Sequence, residues 1–194
     1  MSVRHEEASY GVLIWRRFKR HKLGVAGAVV TIAIYLVAVF AEFLAPHAQG
    51  SYKARDVYSP PQSIRFIQTH EDGGWSFNPH VLGYSSTIDY DSGRRIFEED
   101  PSKVIELGFW VKGDTYNLWG IAEYDRHLFG PVKARDRVYF FGADRLGRDV
   151  LSRTIYATRV SMTIGLVGVA LSLVLGITLG GISGYFGGLI DLGM

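Results

Sequence analysis

Cysteine is absent from the 194 residues. That excludes a disulfide scaffold, a thiolate metal site and a cysteine nucleophile. A charge excess is missing too. The 21 Lys and Arg stand against 19 Asp and Glu, a formal net charge of +2, so the chain as a whole is no polyanion binder and nucleic acid is not among its expected partners. No Gly-x-x-x-x-Gly-Lys-Ser/Thr loop occurs, which excludes nucleotide binding by that route. No Ser/His/Asp order or paired-carboxylate spacing stands out. His47, His70, His80 and His127 are scattered singly, without metal-ligand spacing, and read as solvated loop residues. The sequence therefore predicts no catalytic, cofactor-binding or metal site, and no cofactor.

Charge is missing most conspicuously from two runs, Leu23–Ala41 (19 residues) and Val160–Ile190 (31 residues). The mean hydropathy of +0.09 averages these runs with a charged remainder, so it conceals two populations. A helix needs about 20 apolar residues to cross about 30 Å of hydrocarbon, and Leu23–Ala41 supplies about 29 Å at 1.5 Å per residue. No face of that segment is polar, which argues against a soluble helix. Glu42 lies at its edge and Pro46 stops it. Its apolar core is too long for a cleaved signal peptide, and no Ala-x-Ala site follows Ala41.

In the second run Gly176, Gly180, Gly184 and Gly188 recur every four residues. They would share one face of any helix that continues so far, the usual spacing for close helix packing in lipid. Two readings hold in succession: a packed helix to about Gly184, then a turn. Orientation follows from the basic residues. Residues 1–22 hold six Lys and Arg, five of them in Arg16–Lys22, so this end is expected in the cytoplasm. The intervening loop is expected outside and the segment from Tyr185 onward inside.

The predicted organisation is thus an α-helical membrane protein with two transmembrane helices here and a β-rich extracytoplasmic insertion. Residues 1–22 form a cytoplasmic basic N-terminus, 23–45 the first span, 46–141 the insertion, 142–159 an interfacial amphipathic helix, 160–182 the second span and 183–194 the start of a cytoplasmic loop. Within the insertion two hairpins are predicted. One joins Val81–Tyr90 to Arg95–Glu99 about Asp91-Ser92-Gly93, and the other joins Val104–Val111 to Thr115–Glu123 about Lys112-Gly113-Asp114. The aromatic residues spread through it are expected to form a thin core, and Pro60-Pro61 and Asp72-Gly73-Gly74 mark irregular stretches. In the amphipathic segment Leu146, Val150, Leu151 and Ile155 share a face, Asp149 and Arg153 form an i,i+4 pair, and Gly142 and Gly147 suggest tight turns.

The stretch from Phe141 to Ala157 is the most specific part of the chain. It resembles the Gly-Thr-Asp-x-x-Gly-Arg-Asp-x-x-Ser-Arg signature that precedes the second span in permease subunits of bacterial dipeptide/oligopeptide ABC importers. Gly142, Asp144, Gly147, Arg148, Asp149, Ser152 and Arg153 match, and Ala143 replaces the usual Thr. Trp15-Arg16-Arg17-Phe18-Lys19-Arg20-His21-Lys22-Leu23-Gly24, with Phe43-Leu44-Ala45-Pro46 after the span, looks like the start of the C-type permease, and Gly184-Tyr185-Phe186-Gly187-Gly188-Leu189-Ile190-Asp191 looks like its exit from the second span. The resemblance implies a six-span, non-enzymatic permease in the bacterial inner membrane. It also implies a second permease subunit, two cytoplasmic ATPase subunits, an extracytoplasmic peptide-binding protein and membrane lipid as partners. In such a protein the loop that docks on the ATPase follows the second span, so the chain to Met194 is expected to be an N-terminal fragment. The competing reading is a two-span sensor with an extracytoplasmic domain; the glycine-rich exit and the long basic lead-in count against it. A bare membrane anchor for the insertion leaves the signature unexplained.

Overall fold

The computed structural model describes residues 10–69, 74–91 and 93–188. The expected irregular stretch at Asp72-Gly73, His70, Ser92 of the first turn and Leu189-Ile190-Asp191 lie outside them. Helix α1 (Tyr10–Arg20) carries the basic lead-in, with the Lys19 ammonium 5.2 Å from the centre of the Trp15 ring. His21 separates it from α2 (Lys22–Val39), and the His21 Nδ1 accepts a hydrogen bond from the Gly24 amide at 2.8 Å. The chain breaks at Phe40, makes one further turn, α3 (Ala41–Leu44), and turns away at Pro46. Four antiparallel strands follow in sequential order: β1 (Arg65–Thr69), β2 (Trp75–Ile88), β3 (Arg95–Leu118) and β4 (Ala122–Pro131). Helix α4 (Val150–Phe186) ends the described chain.

Both α2 and α4 are long and apolar enough to cross a membrane. At 1.5 Å per residue α4 extends about 56 Å, well beyond the hydrocarbon thickness. The sequence reading divides this region into an interfacial helix at 142–159 and a separate span. Instead 142–149 is a turn and one unbroken helix starts at Val150. Neither Gly nor Pro falls between Val150 and Arg159 to break it, and its first turns are held upright by α2 and α3. Tyr156 packs with Ala41 and Ala45, and Ile155 lies against them. The Arg159 guanidinium grips both carboxylate oxygens of Glu42, while its Nε donates to the Ala38 carbonyl at 2.8 Å and its Nη2 to the Val39 carbonyl at 3.1 Å.

The first predicted hairpin is present. Ile88 pairs with Arg95 and Tyr84 with Glu99. The second is not. Strand β3 continues through Lys112-Gly113-Asp114 to Leu118 and turns only at Trp119-Gly120-Ile121. Its register explains the difference: Lys112 faces Arg126 and Tyr116 faces Tyr124, so three residues on β3 oppose one on β4. The turn formers make a bulge. Gly113 is needed there because a Cβ would come within 2.6 Å of the His127 ring, and Asp114 turns its carboxylate to the Ala48 amide at 3.2 Å. The first half of β3 pairs with β2 and the second with β4, so one strand serves two hairpins.

The aromatic residues do not form the core that was expected. Tyr116 and Tyr139 are buried, but Trp75, Phe77, Tyr90, Phe109 and Trp110 are exposed. A single sheet has two faces and only one can meet the remainder of the chain. The histidines differ from expectation as well: His47, His80 and His127 are all buried. The His127 ring nitrogens face the carbonyls of Ala45 and Asp114, tying β3 and β4 to the exit of α3.

Replacing Arg159 with Leu leaves Glu42 buried without its cation, a loss on the order of 3 kcal/mol for a buried pair and less here, since Arg159 is about a third exposed. We expect the Arg159→Leu chain to melt earlier in detergent, and the Glu42→Leu/Arg159→Leu double variant to recover part of that loss. A double variant no more stable than the single one refutes the clamp.

Candidate functional site

Five of the seven signature residues, Gly142, Asp144, Gly147, Arg148 and Asp149, lie in the tight turn that enters α4, and Ser152 and Arg153 on its first turn hydrogen-bond back to Asp149 and Asp144. Gly142 and Gly147 adopt φ of +76° and +74°, a conformation that costs other residues about 1–2 kcal/mol. Close packing reinforces the requirement. A Cβ on Gly142 would lie 2.8 Å from the Ser59 carbonyl oxygen, and one on Gly147 would overlap the Lys53 carbonyl. The loop is stitched to the segment that follows α3: Lys53 N–H donates to the Gly147 carbonyl, Tyr58 N–H to that of Asp144, and Ala143 N–H to that of Ser59. Ala143 also bridges Asp149 in antiparallel fashion.

Two carboxylates organise the turn. Asp144 Oδ1 accepts from the amides of Leu146 (2.8 Å) and Arg148 (3.0 Å), and Oδ2 accepts from Arg148 Nε (3.0 Å) and from the Arg153 guanidinium. Burial works against its charge, but the two amides and two guanidinium groups outweigh burial and bring its pKa down to about 2. Asp149 is the N-cap of α4: its Oδ2 accepts from the Ser152 amide at 2.7 Å and the Ser152 hydroxyl at 2.6 Å. The Ser152 oxygen in turn accepts from the His47 amide at 3.1 Å. This corrects the expected i,i+4 pair. Asp149 is 2% exposed and spent on the cap, so Arg153 reaches back to Asp144.

The sequence reading missed a neighbouring polar group. Asp114 lies 3.8 Å from the His47 imidazole and 4.0 Å from Arg137. The His47 imidazole, then Ser51, Arg137 and the Ala48 amide, hold its carboxyl well below the usual carboxylate range against the opposing effect of burial. His47 Nε2 sits 3.1 Å from the Val138 carbonyl oxygen. No local spacing links residues 47, 114 and 137, so the group had no signature to read. Among the described residues no three His, Asp or Glu side chains converge as metal ligands.

The predicted packing glycines are placed differently. Gly176, Gly180 and Gly184 lie on α4 with nothing within 4 Å of where a Cβ would stand, and Gly188 falls past the helix end with φ of +60°. Helix α4 meets α2 nearer its N-terminal end, where Thr154, Ala157, Thr158 and Ser161 face Ala33, Ile34 and Val37.

Lowering the folded-state pKa of Asp144 from 3.8 to about 2 stabilises the fold at every pH above 3.8, and the contribution is lost as pH falls toward about 2. Acid titration followed by tryptophan fluorescence should show that loss in the native chain and a flatter profile in Asp144→Asn. Gly147→Ala should lower the melting temperature more than an alanine at Gly176, where space is open.

Residues 9–61 match the family model described as the N-terminal TM domain of oligopeptide transport permease C. The chain is 28% identical over 192 residues to the dipeptide transport system permease protein DppC of Lactococcus lactis, covering 93% of this chain and 42% of that protein. It is 23% identical over 190 residues to DppC of Bacillus subtilis, covering 98% and 36%. Over 53 residues it is 53% identical to DppC of Haemophilus influenzae, covering 27% and 18%. The chain thus spans less than half the length of these relatives. No solved structure gives a significant match. With two helices long and apolar enough to cross a membrane, a match to the permease C domain over residues 9–61 and similarity to dipeptide permeases along nearly its whole length, the chain is similar to the C-type peptide ABC permeases.

Proposed function

We propose that this chain is the front part of a membrane-spanning permease subunit in an ATP-driven importer of di- or oligopeptides, and that it contributes part of the translocation route. The observation that carries this reading is the similarity to dipeptide permeases along nearly the whole chain, insertion included. It also favours a permease over a sensor. Substrate passage and coupling belong to the complete subunit, working with a second permease subunit, two cytoplasmic ATPase subunits and an extracytoplasmic peptide-binding protein. No step of bond chemistry is assigned to this chain.

In this reading α1 and the basic residues before α2 stay in the cytoplasm, held by the preference of Lys and Arg for that side. The sheet stands outside, and the segment after α4 returns inside. The turn built on Asp144 and Asp149 fixes how the chain re-enters the membrane and offers, with the sheet, part of a docking surface for the binding protein. The rigidity of that turn supports the role, since a misplaced helix start would shift the whole of α4. The open glycine face of α4 supports a place for a neighbouring helix in the assembled subunit.

The absence of cysteine makes the topology directly measurable. A single cysteine at exposed Glu98 should react with an impermeant maleimide added to whole cells or spheroplasts, and one at Arg16 only after the membrane is opened. Labelling of both positions on the same side overturns the orientation. In the full-length gene, replacing Asp144, Arg148 and Asp149 together should abolish peptide uptake. Unchanged uptake at normal protein levels removes any transport role for the turn.

A further inference from the structure

An apolar groove of about 640 Å³ runs between the end of α2 and the β3–β4 hairpin. Leu36, Val37 and Phe40 form one wall, Trp110 and Tyr124 the other, and Arg126 stands on its rim. We propose that this groove binds a membrane phospholipid, with an acyl chain along the apolar walls and the phosphate at Arg126. The proposal goes beyond the transport reading and rests only on α2 being a membrane span.

Depth is the first argument. The 18 residues of α2 rise about 27 Å, close to the hydrocarbon thickness, so Val39 lies at its edge and Leu36 just inside. A groove whose wall begins at Leu36 is continuous with the lipid-facing surface of the span. The hairpin reaches the same depth, because the Trp119 indole N–H donates to the Val39 carbonyl at 2.9 Å. Its direction is set by three further contacts. Phe43 packs edge-on against Trp110 at 5.1 Å, the Ala45 carbonyl meets His127, and Pro46 lies beside Gly130. As the chain climbs out of α2 its partners move from the hairpin tip toward its base, so the tip points at the membrane.

The polarity of the hairpin follows that direction. Ile121 at the tip is 82% exposed although apolar, Asn117 and the exposed Glu123 pair just above it, Tyr116 and Tyr124 face each other next, and Lys112 pairs with Arg126 one step higher. Ala122 to Arg126 is about 14 Å at 3.4 Å per residue. Glu123 holds immersion to the outermost turn residues, level with Val39 at the hydrocarbon edge, and the aromatic pair and basic rim above it follow the order of interface and headgroup. Arg126 retains donor capacity for a phosphate. One N–H reaches the Trp110 carbonyl at 3.3 Å, and Asp125, already paired with Lys112 at 3.0 Å, is 3.9 Å from its Nε.

The test uses the chain in phosphatidylcholine nanodiscs whose lipids carry bromine near the carboxyl end of one acyl chain and near the methyl end of the other, so that both depths hold a quencher. Trp110 is kept as the only tryptophan, and a second chain carries its single tryptophan at Val169 in the middle of α4. Quenching of Trp110 that Arg126→Gln reduces supports the site. Trp110 left bright while the Val169→Trp reporter is quenched overturns it and points to a protein segment or a second copy in the groove. Quenching of Trp110 indifferent to Arg126→Gln overturns it in favour of bulk lipid. If neither reporter is quenched, the membrane reading itself fails. Should the tryptophan variants fold poorly, a spin label on Ile121→Cys in the otherwise unaltered chain serves instead. Relaxation by oxygen beyond that by a water-soluble nickel chelate supports an immersed tip, and the reverse order overturns it.

Discussion

Backbone polar groups at the ends of the two long helices need partners where water is scarce, and that need organises the rest of the molecule. The break at Phe40 and the stop at Pro46 leave the carbonyls of Ala38, Val39 and Ala45 at the exit of α2 and α3. Arg159 of α4 takes the first two, Trp119 of the hairpin shares the second, and His127 of β4 takes the third. At the start of α4 the carboxylate of Asp149 answers the amide of Ser152, whose hydroxyl oxygen accepts from the His47 amide. Asp149 caps its own helix, and the other capping groups come from elements distant in sequence. The caps are therefore also the tertiary contacts.

This arrangement explains why so thin a core suffices to position the sheet. Few apolar residues of the sheet are fully buried. Its attachment instead runs through hydrogen bonds to the helix exit and through the Asp114, His47 and Arg137 group beside it. Buried polar contacts of this kind are costly to leave half made. They hold a single geometry better than a small apolar contact would. In the permease reading proposed above, that property serves the start of α4, since a tilt there is carried along its 37 residues.

The two membrane-length helices, the first hairpin and the turns at Gly142 and Gly147 were legible because each is encoded locally. An uncharged run, an alternating pattern about a turn and a glycine in a tight loop need no distant partner to be recognised. The second hairpin was misread because Lys112-Gly113-Asp114 has the composition of a turn. The strand passes through it only because Asp114 is engaged by Ala48 and Gly113 makes room for His127. Trp119 takes the turn, with φ of +52°, an unusual residue for that conformation, and its indole is anchored on Val39. The Asp149–Arg153 pair was a sound local expectation that a helix cap displaced.

Sequence alone dictated two apolar helices of membrane-crossing length and a charged, turn-rich segment between them, because hydrophobic length and charge exclusion act residue by residue. Tertiary structure alone decided which cation holds Glu42, which histidines are buried, and that one long strand holds both hairpins. Those outcomes depend on orphaned backbone groups finding partners some eighty to a hundred and twenty residues away, as His127 finds Ala45 and Arg159 finds Ala38.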